Sequence, residues 1–149
     1  MNKKIQYLKG DATRPQGDGK KIICHICNNI GAWGAGFVLT LSKRWKEPEI
    51  AYKNKTNYSL TDVDFINVTD NITIANMIAQ NGIRNPNNKK PINYAALRIC
   101  LNEVNDFAYR NNASIHMPKI GTGLAGGDWN IIEKIIDDIA SVPVYVYEL

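Results

Sequence analysis

Ser114-Ile115-His116-Met117, then Pro118-Lys119-Ile120-Gly121-Thr122-Gly123-Leu124-Ala125-Gly126-Gly127-Asp128-Trp129, reads as a strand, a glycine loop and the start of a helix. The helix shows in Trp129, Ile132, Ile136 and Ile139, which share one face at helical spacing. Glycines let the loop turn tightly and bring its backbone close to a ligand, because no Cβ intervenes. The helix end adds free N–H groups and a positive dipole end, a combination suited to a phosphate. An exposed dipole contributes only about 0.3–1 kcal/mol, so several N–H hydrogen bonds must supply most of the binding. Asp128 directly precedes the helix; it is either its N-cap, worth about 1 kcal/mol, or a catalytic carboxylate.

Outward from this loop, strands are predicted over residues 5–8, 22–27, 63–68, 72–78, 114–117 and 144–147. Residues 22–27 are almost continuously apolar, as in a strand buried on both faces. The two strands that meet at Asp70-Asn71 form a predicted hairpin. Helices are predicted through Phe37, Val38, Leu41 and Trp45, bounded by Pro48, and through Tyr94, Leu97, Leu101, Val104 and Phe107. Residues 81–91 form an Asn- and Lys-rich loop with two prolines. Strands alternating with helices predict an α/β fold with helices covering a mostly parallel sheet.

Gly121, Gly123 and Gly126 match the dinucleotide-binding pattern G-x-G-x-x-G, and Glu148 lies where its ribose-binding acid would fall. The context excludes that reading, since a dinucleotide fold needs several strands after the loop and only one fits before Leu149.

With 149 residues, 44% apolar and 21% charged, the chain has the length and composition of one globular domain, residues 1–149, without a disordered tail. No apolar run approaches the ~20 residues of a membrane span, and the start Met1-Asn2-Lys3-Lys4 carries no secretory signal. Three cysteines cannot form a disulfide framework, and a cytoplasmic location is expected. The net charge of +4 comes from scattered pairs such as Lys20-Lys21 and Lys89-Lys90. They serve either as a solvated surface or as an aid to anionic ligands, and they lack the concentrated stripe of a nucleic-acid binder.

A second glycine-rich segment follows the 22–27 strand. Asn28 and Asn29 are either sugar-binding carboxamides or turn formers, and Gly31, Gly34 and Gly36 permit close backbone approach. A third, Gly10-Asp11-Ala12-Thr13, offers a carboxylate to an exocyclic amine such as that of adenine, or forms a plain turn. Loops at the carboxyl ends of strands are where open α/β sheets bind ligands. His25 is either a core histidine or a base. With only His25 and His116 in the chain, a histidine-rich metal site is not expected. There is no GKT/S loop, no H-E-x-x-H and no cysteine followed six residues on by arginine. Asp62-Val63-Asp64 is read as a solvated strand edge.

Together, residues 10–13, 25–37 and 118–129 resemble the macrodomain family, in order and at the family's spacing. Within it the chain is similar to the compact branch of ADP-ribose-1″-phosphate phosphatases and terminal ADP-ribose protein glycohydrolases. The resemblance implies a three-layer α/β/α sandwich with a mixed, mostly parallel sheet of about six strands, and no metal or other cofactor. It implies ADP-ribose or its derivatives as ligand, ADP-ribosylated macromolecules as further partners, and a monomer. Asp11 and Ala12 would then meet the adenine, with Leu149 closing that end. Asn28, Asn29, Trp33, Gly34, Ala35, Gly36 and Phe37 would line the distal ribose and diphosphate. Ile120, Gly121, Thr122, Gly123, Leu124, Ala125, Gly126 and Gly127 would wrap the diphosphate.

The glycohydrolases of this branch use a strand-end lysine and a loop aspartate, whereas this chain has Gln80 and Ala125 at those positions. Glutamine forms no Schiff base and alanine moves no proton. Water attack on a 1″-phosphate or ester remains, with Asn29, His25 and Asp128 as candidate catalytic residues. The alternative is a non-catalytic ADP-ribose-binding module.

Overall fold

The computed structural model describes residues 4–149; Met1, Asn2 and Lys3 of the basic start lie outside the described residues. Six strands form one sheet: β1 (Ile5–Lys9), β2 (Lys20–Asn28), β3 (Val63–Asn67), β4 (Ile72–Gln80), β5 (Ala113–Pro118) and β6 (Val144–Glu148). Their order is β1-β6-β5-β2-β4-β3. All neighbours run parallel except β3, which pairs antiparallel with β4 as the hairpin predicted around Asp70-Asn71. Among the described residues there are four helices: α1 (Phe37–Arg44), α2 (Glu47–Lys53), α3 (Tyr94–Arg110) and α4 (Trp129–Ile139).

The central strand β2 explains the layering. Successive side chains of a strand point to opposite faces. Ile22 and Cys24 enter one apolar cluster with Leu97 and Val104 of α3 and Ile132 and Ile136 of α4. Ile23 and Cys27 enter another with Trp33, Leu41 of α1 and Tyr52 of α2. Both faces of β2 are therefore dry, which is why its sequence is continuously apolar. The result is the expected α/β/α sandwich with a mixed sheet.

α2 is a helix beyond those predicted from the sequence. Pro48 stops nothing there: α1 already ends at Arg44, and Pro48 occupies the first turn of α2. A missing N–H costs nothing at that position, and the fixed φ of proline suits it. β2 also starts at Lys20, earlier than apolarity suggested, and β4 runs on to Gln80. Asp62 and Asp64 at the β3 edge pair with Lys55, at 3.8 and 2.9 Å.

Because β1, β6, β5, β2 and β4 are parallel, their carboxyl ends share one edge of the sheet. The segments that leave β1, β2, β4 and β5 all start from that edge. Gly10 N donates to Glu148 O (2.8 Å) and Asn29 N to Gln80 O (3.0 Å), which ties neighbouring strand ends together. Among the described residues no helix is long and apolar enough to cross a membrane.

Candidate functional site

Two adjoining cavities open at this edge, of about 320 and 400 Å³, and Ile26, Ala35, Val38, Gln80 and Leu124 face both. Two chain segments far apart in sequence contribute to the lining. Ala35, Gly36 and Phe37 line the smaller cavity together with residues 120–125. Asn28, Trp33 and Gly34 line the larger one. His25 lines the smaller. Asp11, Ala12, Asn29, Gly126, Gly127, Asp128 and Leu149 line neither.

The glycines divide into two kinds. Gly121 and Gly126 have φ of +76° and +73°, and a Cβ on Gly126 would lie 2.6 Å from the Lys89 carbonyl oxygen. A Cβ on Gly127 would meet the Gly121 oxygen at 2.6 Å, the atom that accepts its own N–H at 2.7 Å. These glycines fold the loop on itself. Gly34 and Gly123 have neither a positive φ nor an atom within 4 Å of a Cβ. Nothing inside the protein requires glycine there, whereas a ligand pressed against the backbone would.

Asn28 is committed to its own loop. Its Oδ1 accepts from Ile30 N and Ala32 N, each at 3.0 Å, and from the Tyr52 hydroxyl at 2.8 Å. Its Nδ2 donates to Ala32 O at 2.7 Å. Asn29 reaches sideways to the segment after β4, donating to Asn81 Oδ1 (3.0 Å) and accepting from Gly82 N (2.8 Å). Asp128 caps α4, accepting from Asn130 N at 2.9 Å, the cap expected from sequence. Asp11 Oδ1 accepts from both Thr13 N and Thr13 Oγ1, and Arg44 Nε donates to Thr13 O, so this loop is anchored to α1.

His25 is 2% exposed, with Nε2 2.6 Å from Asn76 Oδ1. Asn76 Nδ2 donates to Pro48 O, which turns its oxygen toward the ring, so Nε2 carries the proton and Nδ1 the lone pair. Burial pushes the His25 pKa down to about 4, against the opposing effect of the Asn76 bond. At neutral pH the ring is an uncharged, weak base beside the cavity. Trp33 meets it edge-on at 5.4 Å. Cys27 Sγ lies 4.0 Å from both ring nitrogens, and burial raises its thiol pKa, so it is a packing group and not an activated nucleophile.

Gln80 ends β4 and lines both cavities, with Nε2 donating to Gly82 O at 3.1 Å. Ala125 is buried in the glycine loop. Ile26, Ile83, Arg84 and Lys119 also line the cleft and are not among the site residues expected from the sequence. Ile26 was findable as an apolar residue at the end of a buried strand; Arg84 lies in a loop without periodicity and carried no signal. Among the described residues no group of three or more His, Cys, Asp or Glu is arranged to hold a metal ion.

The fold and cleft place the chain among known proteins. No protein-family model matches it. A protein of unknown function from Bacteroides thetaiotaomicron is 49% identical and superposes with a TM-score of 0.92, covering 97% of this chain and 98% of that one. A macrodomain protein from Streptomyces coelicolor is 41% identical, with a TM-score of 0.84, covering 97% and 99%. This chain belongs to the macrodomain family. Among curated relatives, an ADP-ribose 1″-phosphate phosphatase of Candida albicans is 28% identical over 96% of this chain and 98% of its own length. A mouse chromodomain-helicase-DNA-binding protein 1-like is 31% identical over 96% of this chain, which spans only 17% of that protein. Thermosipho africanus DarTG, in complex with ADP-ribose, shares the fold at 13% identity with a TM-score of 0.76, covering 96% of this chain and 41% of that one.

Proposed function

We propose that the cleft binds ADP-ribose and that the protein hydrolyses ADP-ribose-1″-phosphate or a related ADP-ribosyl ester. The observation that carries this reading is the pair of glycine-bearing walls, residues 34–37 and 120–125, with open space in front of Gly34 and Gly123. Backbone N–H groups approached without a Cβ are suited to a diphosphate. The full-length similarity to the Candida albicans phosphatase supports the substrate class. The adenine lies toward Asp11, Ala12 and Leu149, the diphosphate under the glycine loop, and the distal ribose between Asn29 and Trp33. Residues 1–149 act as one macrodomain and as a monomer in the cytoplasm.

In this reaction the oxygen of water bonds to phosphorus, the bond from phosphorus to the C1″ oxygen breaks, and that oxygen takes up a proton. Positioning and polarisation contribute most. The neutral His25 receives a proton weakly at best, Asn29 orients the ribose or the water, and Asp128 acts through the helix end that it caps. Gln80 and Ala125 leave no lysine nucleophile or loop acid at the glycohydrolase positions, so turnover is slow.

The same two residues favour a second reading, a module that binds ADP-ribose without turnover. Purified protein is given ADP-ribose-1″-phosphate while phosphate release is followed, with ADP-ribose binding measured by calorimetry. Phosphate release above background that Asn29→Ala lowers supports the hydrolase. Tight binding with background release selects the binding module, and absence of binding overturns both.

A further inference from the structure

The cleft has an electrostatic asymmetry that the ADP-ribose reading does not use. Among the described residues, two cations and no carboxylate line its two cavities: Lys119 in the smaller and Arg84 in the larger. Lys119 is neutralised by Glu148, whose Oε1 is 2.6 Å from Nζ. Arg84 is exposed, and among the described residues no carboxylate lies within ion-pair distance of it.

The backbone that carries Arg84 is held on both sides. Asn88 Nδ2 donates to the carbonyls of Asn81 (2.9 Å) and Ile83 (3.2 Å). Asn85 and Asn88 exchange backbone hydrogen bonds of 3.2 and 2.9 Å, closing a tight loop just after Arg84. Gly82 N is pinned to Asn29 Oδ1 at 2.8 Å. Arg84 thus lines the larger cavity together with Trp33, Asn28 and Gln80, on a backbone held in place.

Strand order sets which end of the ligand reaches it. From β6 through β5 and β2 to β4 is three inter-strand spacings, roughly 14 Å. An extended ligand with its base at β1 and β6 and its diphosphate at β5 puts its far sugar between β2 and β4. A group attached beyond that sugar emerges toward the segment after β4.

We infer that Arg84 recognises an anionic phosphomonoester on the distal ribose, which makes it the residue that separates ADP-ribose-1″-phosphate from unmodified ADP-ribose. The inference rests on the ADP-ribose reading. A guanidinium offers paired N–H donors that match phosphate oxygens, and a charge-assisted contact of this kind is worth about 10- to 100-fold in affinity.

Displacement of a fluorescent ADP-ribose probe tests it, with ADP-ribose and its 1″-phosphate as competitors. The wild-type protein is expected to prefer the phosphate. Arg84→Ala is expected to weaken binding of the phosphate about 10- to 100-fold and to leave ADP-ribose within about twofold. Arg84→Lys is expected to keep part of the preference, because the charge stays while the fork is lost. Because Arg84 is exposed, the variants retain the wild-type melting temperature, and a binding loss is not an unfolding effect. An unchanged preference in Arg84→Ala overturns the inference while leaving the ADP-ribose reading intact. Absence of displacement by either competitor in the wild type overturns both.

Discussion

His25 and Asn76 face each other across β2 and β4 as register partners, with Nε2 2.6 Å from Oδ1 and both side chains buried. Asn76 holds the ring in one tautomer and is itself held by the Pro48 carbonyl, so the first turn of α2 fixes a histidine at the cleft. The short helix thereby reaches the site without lining it.

Acid sensitivity follows from this burial. His25 and His116 both have pKa values lowered to about 4, the first by burial and the second by burial with the Lys21 charge adding. In the unfolded chain both titrate near 6.5. The unfolded state therefore binds more protons between pH 6.5 and 4, and stability is complete above 6.5 and falls as pH drops through that window. Unfolding free energy measured in urea is expected to fall by about 2 kcal/mol per histidine from pH 7 to pH 5. NMR titration showing either imidazole protonating near 6.5 in the folded protein contradicts this.

Gly126→Ala and Gly123→Ala are expected to act oppositely. The first places a Cβ 2.6 Å from the Lys89 carbonyl oxygen at a positive φ and is expected to cost about 1–3 kcal/mol of stability. The second fills open space, changes stability by no more than about 0.5 kcal/mol, and weakens ADP-ribose binding about tenfold or more. Thermal melts and calorimetry on the two variants separate a folding glycine from a ligand-facing one.

Tyr52→Phe is expected to loosen the Asn28 loop. The Tyr52 hydroxyl lies 2.6 Å from the Asn28 carbonyl oxygen and 2.8 Å from its side-chain oxygen in a fully buried setting. Removing it leaves buried acceptors short of a donor, a loss of about 1–3 kcal/mol. Chemical denaturation measures the loss; a change below about 0.5 kcal/mol shows the hydroxyl to be dispensable.

Reductive trapping with ADP-ribose and borohydride is expected to leave the protein's mass unchanged. Gln80 stands at the end of β4, and Lys119, the one lysine lining the cleft among the described residues, is ion-paired with Glu148. A covalent adduct on any cleft residue in the mass spectrum defeats the lysine-free mechanism.

Much of the architecture was legible because its signals are local. The apolar run of β2, the helical period of α3 and the Asp128 cap depend on neighbours a few residues away. α2 was not legible because Pro48 carries the same signal whether it ends one helix or opens the next; what decides is the packing of Tyr52 against Trp33, with ring centroids 5.3 Å apart. Arg84 had no signal because exposed loop residues have no period to break.

The pattern of apolar residues, glycines and caps by itself determined a six-stranded α/β chain with glycine loops at its strand ends, since each of those features arises from short-range backbone geometry. The strand order, the meeting of residues 34–37 with 120–125, and the sorting of glycines into those that fold the loop and those that face open space were decided only by the tertiary structure. Such relations join positions some 85 residues apart, and only the packing of helices on both faces of one sheet brings them together.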